Sequence, residues 1–87
     1  MFEHLRSREY LEQGAMIRVW LEDACWVRVM DDLNYNNFRN GRDYRGNVTV
    51  VTVSPHEIVV PYSGFWNVVL DLNGSAGSIR HSIEYIR

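Results

Sequence analysis

The sequence has no lysine, only one cysteine and no long apolar run, and each of these absences excludes a class of protein. All nine basic residues are arginine, so the chain has neither a Schiff-base lysine nor the lysine of a P-loop. Cys25 has no second cysteine with which to form an internal disulfide, which is typical of a reducing compartment. No apolar run approaches the roughly 20 residues of a membrane span, and the first residues do not resemble a signal peptide. We therefore expect a cytoplasmic protein that does not bind membranes.

The composition is that of one small globular domain. Apolar residues make up 46% of the 87 residues and charged residues 23%, which argues against a disordered chain. The length allows one hydrophobic core, so residues 1–87 are expected to form a single domain. A net charge of −2 gives the chain no overall attraction for nucleic acids.

A period of two predicts strands in the first half of the chain. In residues 15–22 and 26–30, apolar residues alternate with polar or aromatic ones, as expected for half-buried strands. A three-residue connection, 23–25, would place Leu21 opposite Val27 on one face of a hairpin. The sequence therefore predicts a hairpin whose other face carries Trp20 and Trp26.

Four more strands are predicted, at residues 44–53, 57–60, 65–72 and 79–86. Pro61 indicates that the second of these lies at a sheet edge or ends there. The last two are expected to pair, with Asp71 opposite Arg80. Residues 1–14 are expected to contain one short helical turn capped by Ser7. The chain is therefore predicted to be all-β, a small antiparallel sandwich or barrel of about six strands with one or two short helical turns.

Residues 31–43 break the alternation and are rich in asparagine. Leu33, Tyr35 and Phe38 could anchor one helical turn here, with Asp31 or Asp32 as its cap. Some of the oxygen-bearing side chains follow the spacing of a calcium-binding EF-hand loop. However, Asn37 stands where such a loop needs a glycine for its sharp turn, and the segments on either side are predicted strands, so a calcium site is not expected. The three histidines lack metal-ligand spacing. We expect no metal, no cofactor and no catalytic residue.

A long ordered loop often carries function, and tryptophan and arginine are enriched at interfaces. We therefore expect a non-enzymatic recognition module for a protein partner or a small ligand, with self-association as a further expectation. The candidate contact residues are Asp32, Asn34, Tyr35, Arg39, Arg42, Trp20 and Trp26. The alternative is a small nucleic-acid or nucleotide-binding domain that uses Arg39, Arg42 and Arg45, although the acidic balance disfavours nucleic acid.

Two groups of residues carry a resemblance to a known family. The first is residues 30–35 with Phe38 and Gly41, and the second is Val60-Pro61 followed by Gly64, residues 66–68 and Asp71-Leu72. With these motifs, the chain resembles a small bacterial domain family of unknown function, found alone or ahead of TIR domains. The resemblance implies an all-β fold and no known reaction. The association with TIR domains implies a sensing or interaction module.

Overall fold

The computed structural model describes residues 4–71 and 80–87, which form seven antiparallel strands in two sheets and one short helix. This confirms the prediction of a mostly-β, sandwich-like fold, and the sheets are open rather than closed into a barrel. The elements are β1 (His4–Leu11), β2 (Met16–Leu21), β3 (Cys25–Asp31), α1 (Asp32–Arg39), β4 (Asn47–Val51), β5 (His56–Val59), β6 (Gly64–Asp71) and β7 (His81–Ile86).

The core lies between a four-stranded sheet, in the order β1-β6-β3-β4, and a three-stranded sheet, in the order β5-β2-β7. The alternating apolar residues of β2, β3 and β6 meet there, and the largest of them are almost fully buried. Alternation along the sequence therefore correctly identified the inward faces of β2 and β3. As Pro61 indicated, β5 is an edge strand.

The expected helical turn near the N-terminus is wrong, because residues 4–11 form β1. This strand pairs with β6 along its whole length, from His4 opposite Asp71 to Leu11 opposite Gly64. Ser7 could cap a helix, but a local cap is weak compared with eight residues of strand pairing and the burial of Leu11.

The expected hairpin between the second and third strands is also wrong, since β2 and β3 belong to different sheets. Val19 pairs with His56 and Ile83, whereas Val27 pairs with Thr49 and Leu70. Two half-buried strands can bury their apolar faces across a core as well as side by side, and alternation does not distinguish these arrangements. Trp20 and Trp26 therefore lie on different sheets and do not share a face.

The pairing predicted for the last two strands is wrong for the same reason. β6 pairs with β1 and β3, while β7 pairs with β2. Asp71 accepts a hydrogen bond from Arg28 at 3.4 Å, and Arg80 forms an ion pair with Glu22 at 3.6 Å. Leu72 and Ile79, which the same predicted register places opposite each other, lie outside the described residues.

The helical turn expected in the asparagine-rich segment is α1, which covers the outer face of the four-stranded sheet. Met30, Tyr35 and Val69 form a second buried cluster there, against Phe38 and Tyr44. Asp31 is the N-cap, since its carboxylate accepts a hydrogen bond from the backbone N–H of Asn34 at 2.9 Å. In residues 4–71 and 80–87, no helix is long and apolar enough to cross a membrane.

One side of the sandwich is held together by side chains that join the edge strands β1 and β7. Ser7 and Tyr85 share a hydrogen bond between their hydroxyl groups. Arg87 donates to the Glu9 carboxylate at 2.5 Å and to the carbonyl oxygen of Tyr10 at 2.8 Å. At the other side are the edge strands β4 and β5, and a cavity opens between the sheets.

Leu70→Ala is expected to lower the free energy of unfolding by about 2–5 kcal/mol, because Leu70 is fully buried in the core. Urea denaturation measures the loss. Val53→Ala is the control, since Val53 is 78% exposed, and it should change stability by about 0.5 kcal/mol or less. Equal losses in the two variants would contradict the proposed core.

Candidate functional site

Two cavities lie at the start of α1, on opposite sides of the four-stranded sheet. The first, which we call the interlayer cleft, has a volume of about 400 Å³ and lies between the two sheets. The second, the arginine pocket, has a volume of about 250 Å³ and lies on the outer side, beside α1. Its lining residues are Arg6, Arg8, Asp32, Tyr35, Asn36 and Arg39.

The interlayer cleft has an apolar wall and a polar end. The wall is formed by Val29, Ile58, Val59, Pro61 and Trp66, and the polar end by Asp31, Asn34, Arg45, Asn47 and Tyr62. Gly46 also lines the cleft. Apolar cavities with a few convergent polar groups are the usual form of small-molecule sites.

Asp31 organises the polar end of the cleft. It accepts hydrogen bonds from the Tyr62 hydroxyl and from both the backbone and the side-chain nitrogen of Asn34, the last at 2.8 Å. Burial alone would raise the pKa of Asp31, but these hydrogen bonds outweigh it and hold the pKa below its usual value. The hydrogen bond that Tyr62 donates to Asp31, together with burial, raises the pKa of Tyr62 to about 12. Asp31 is therefore charged and Tyr62 neutral at physiological pH.

The segment after α1 is held over the cleft by one polar contact and one close approach. The backbone N–H of Arg45 donates to Asn34 Oδ1 at 2.7 Å. At Gly46, an added Cβ would lie 2.6 Å from the carbonyl oxygen of Val29, so only glycine lets the backbone approach β3 this closely. These contacts place Arg45 at the polar end of the cleft.

The arginine pocket is built around Asn67, a fully buried polar residue of β6. Its side-chain oxygen accepts a hydrogen bond from Arg6 Nε at 2.8 Å, and its nitrogen donates to Asp32 at 2.9 Å and to the carbonyl oxygen of Met30 at 3.3 Å. Because a buried amide without partners is costly, Asn67 fixes the positions of Arg6 and Asp32.

Two arginines of β1 are held over aromatic rings. Arg8 donates from Nε and Nη2 to the Asp32 carboxylate, the shortest contact being 2.6 Å, and lies 3.8 Å from the Phe65 ring centre. Arg6 lies 3.9 Å from the ring centre of Tyr35. The hydrogen bond from Arg8 lowers the pKa of Asp32, and the hydrogen bond from Asn67 adds to this effect. Together they outweigh the partial burial of the carboxylate, which acts in the opposite direction, and the pKa falls to about 2. Asp32 is therefore charged, and hydrogen bonds and ring contacts hold Arg6 and Arg8 beside it.

The structure brings together some of the residues expected from the sequence and separates others. Asp32, Tyr35 and Arg39 line the arginine pocket, and Asn34 lines the interlayer cleft. Arg42 is exposed and lines neither cavity. Trp20 is 42% exposed and donates to Glu84 on the three-stranded sheet, whereas Trp26 is 47% exposed on the four-stranded sheet. The roles of these residues stay predictions.

Sequence analysis missed Arg6, Arg8, Tyr62 and Trp66. The alternation of residues 4–11, with Arg6 and Arg8 on one face, was a signal for β1 that the helical interpretation overlooked. Tyr62 and Trp66 have no local signal, because tertiary contacts bring them to the cleft. Among the residues that the structure describes, no group of three or more histidine, cysteine or acidic side chains could hold a metal ion.

The comparisons with known proteins give a family and no activity. A family model described as a domain of unknown function (DUF1883) matches residues 1–87, which is the whole chain. No curated protein and no solved structure matches the chain. The match does not bear on TIR domains, so that part of the resemblance stays a prediction.

Asn67→Ala is expected to lower the free energy of unfolding by about 1–3 kcal/mol, because the buried Met30 carbonyl would lose its donor and Arg6 would lose the acceptor of its Nε. Denaturation by urea measures the effect. The control is Asn36→Ala, the same change at an exposed helix position, which should be neutral or slightly stabilising. A loss of stability in the control alone would contradict the assignment.

Asp32→Asn is expected to destabilise the protein at neutral pH and to have less effect in acid. Since the folded pKa of Asp32, about 2, is below its unfolded value, its contribution is present above the unfolded pKa of about 3.9. That contribution is lost as pH falls through about 4 towards 2. Urea midpoints of both proteins between pH 7 and pH 2 measure the difference, and a difference that grows in acid would contradict this account.

Proposed function

We propose that this chain, which belongs to the domain-of-unknown-function family DUF1883, is a non-enzymatic recognition module that binds a small molecule in the interlayer cleft. The observation that carries the proposal is the combination of an apolar wall with convergent polar groups at one end. Its volume of about 400 Å³ lies within the range of ligand pockets, roughly 300–1,000 Å³.

The lining residues indicate the chemistry of the ligand. Trp66 and Pro61 offer flat apolar surface, and Ile58 and Val59 complete the wall on the side of β5. At the other end, Asp31 is negatively charged, and its carboxylate is held by hydrogen bonds from Asn34 and Tyr62. Arg45 supplies one positive charge at this end, and its planar guanidinium suits an acidic group. The expected ligand has a compact apolar body and one acidic end.

The chemistry of Cys25, Asp31 and Asp32 supports binding rather than catalysis. Burial raises the pKa of the Cys25 thiol, which donates to the Asp71 carbonyl oxygen at 3.2 Å, so the reactive thiolate is disfavoured. Asp31 and Asp32 both have lowered pKa values and are held by hydrogen bonds. A general acid or base works best with a pKa near the working pH.

The nucleic-acid alternative has less support. Arg39 and Arg45 line different cavities on opposite sides of the four-stranded sheet, so the three loop arginines are not a continuous stripe. Binding through them would depend steeply on salt, which a titration at two salt concentrations would test. Three further expectations stay predictions: self-association through Trp20 or Trp26, a protein partner, and a cytoplasmic location. Sedimentation equilibrium would measure the self-association.

The probe for the cleft is 1-anilinonaphthalene-8-sulfonate, which combines aromatic rings with an acidic group. In a background of Trp20→Phe and Trp26→Phe, Trp66 is the one remaining tryptophan. Because Trp66 lines the cleft, bound probe should quench its emission by energy transfer. The titration is made on folded protein, whose unfolding midpoint is checked first.

Val59→Glu should weaken binding of this probe about tenfold or more, because it places a negative charge in the cleft mouth. Val53→Glu is the matched control at an exposed valine outside the cleft, and its effect should stay below about twofold. Arg45→Ala should also weaken binding, and Arg42→Ala should not. Equal effects within either pair would refute the cleft as the binding site.

A further inference from the structure

The geometry points to the arginine pocket as a second binding site, which takes a compact phosphoryl group such as a phosphate monoester. Three guanidinium groups and one carboxylate line the pocket, an excess of two positive charges in a chain whose net charge is −2. The pocket lies on the outer side of the four-stranded sheet, away from the interlayer cleft, and the inference is independent of the function proposed for that cleft.

The arginines of β1 are fixed before any ligand arrives. Asn67 accepts a hydrogen bond from Arg6 Nε, and Asp32 holds Arg8 through two of its nitrogens. In the described part of the chain, the terminal amino groups of Arg6 make no hydrogen bond and are available as donors. A guanidinium with a fixed position loses little entropy on binding, and its planar donors match the oxygens of a phosphoryl group.

Arg39 and Asn36 complete the pocket from the side of α1. Arg39 is the last residue of the helix and is exposed, and within residues 4–71 and 80–87 its side chain has no hydrogen-bond partner. The helix dipole accounts for a basic residue at this end. It does not account for Arg6 lying in the same pocket, where the one carboxylate, Asp32, leaves two of the three guanidinium charges without a compensating anion.

The aromatic ring of the pocket favours a phosphoryl group over single-stranded nucleic acid. Recognition of unpaired bases needs an open ring face for stacking. Tyr35 is the aromatic residue that lines the pocket, and it is 6% exposed and already covered by Arg6. Its ring therefore supports a guanidinium group and offers no platform for a base, while the volume of about 250 Å³ suits a small anion.

The test is calorimetric titration of the full chain with inorganic phosphate and with O-phosphoserine, at pH 7.5 and constant ionic strength. Arg39→Ala should weaken binding about tenfold or more, because it removes a charge-assisted contact. Arg42→Ala, which removes the same charge from an exposed position lining neither cavity, should weaken binding less than about twofold. Both variants should keep the unfolding midpoint of the parent.

The two probes distinguish the source of the phosphoryl group. Binding of both probes supports a phosphate ester as the ligand, and binding of inorganic phosphate alone supports the free ion. The proposal is overturned if neither probe binds at about 10 mM in 50 mM salt, or if Arg39→Ala and Arg42→Ala weaken binding equally. It is also overturned if a short oligothymidylate binds far more tightly than both probes and loses affinity in both variants.

The cleft variant Val59→Glu separates this inference from the proposed function. It should weaken binding of the anilinonaphthalene probe about tenfold or more and leave phosphate binding within about twofold of the parent, because Val59 lines the cleft and not the arginine pocket. Phosphate binding that falls with the anilinonaphthalene probe in Val59→Glu would overturn the assignment to a separate pocket.

Discussion

The burial of β6 on both faces is the constraint on which the rest of the structure depends. Residues 66–70 are all buried, so this strand needs cover on each side. The three-stranded sheet covers the face that carries Val68 and Leu70, and α1 covers the face that carries Val69. For α1 to reach that position it must begin where β3 ends, and the N-cap Asp31 is also the last residue of β3. The burial of one strand thus depends on where α1 begins.

One polar residue on that buried strand determines the chemistry around it. Asn67 must find partners for its amide, and it finds them in Arg6, Asp32 and the Met30 backbone. Because adjacent residues of an extended chain point to opposite faces, Asp31 lines the interlayer cleft and Asp32 the arginine pocket. Two neighbouring carboxylates therefore serve two cavities, and each is held ionised by its own hydrogen bonds.

The candidate site could be predicted from the sequence only where its residues are neighbours in the chain. The loop after β3 identified Asp32, Asn34, Tyr35 and Arg39 as candidates, and all four line a cavity. The other half of each cavity comes from distant segments: Arg6 and Arg8 from β1, and Tyr62 and Trp66 from β6 and the turn before it. The expected tryptophan face failed because it rested on pairing two strands that the fold assigns to different sheets.

The local character of the chain follows from its amino-acid sequence alone. A period of two identified β2 and β3, Pro61 indicated an edge strand, and Asp31 before an asparagine-rich segment indicated a capped helix. Each of these follows from side-chain size, backbone geometry or a hydrogen bond to a near neighbour. The pairing of the strands depends on the tertiary structure, since an apolar face can be buried beside a neighbouring strand or across a core with a similar gain in free energy. The tertiary structure thereby also decides which arginines meet, because residues 6 and 39 come together only when β1 joins β6 and α1 packs over both.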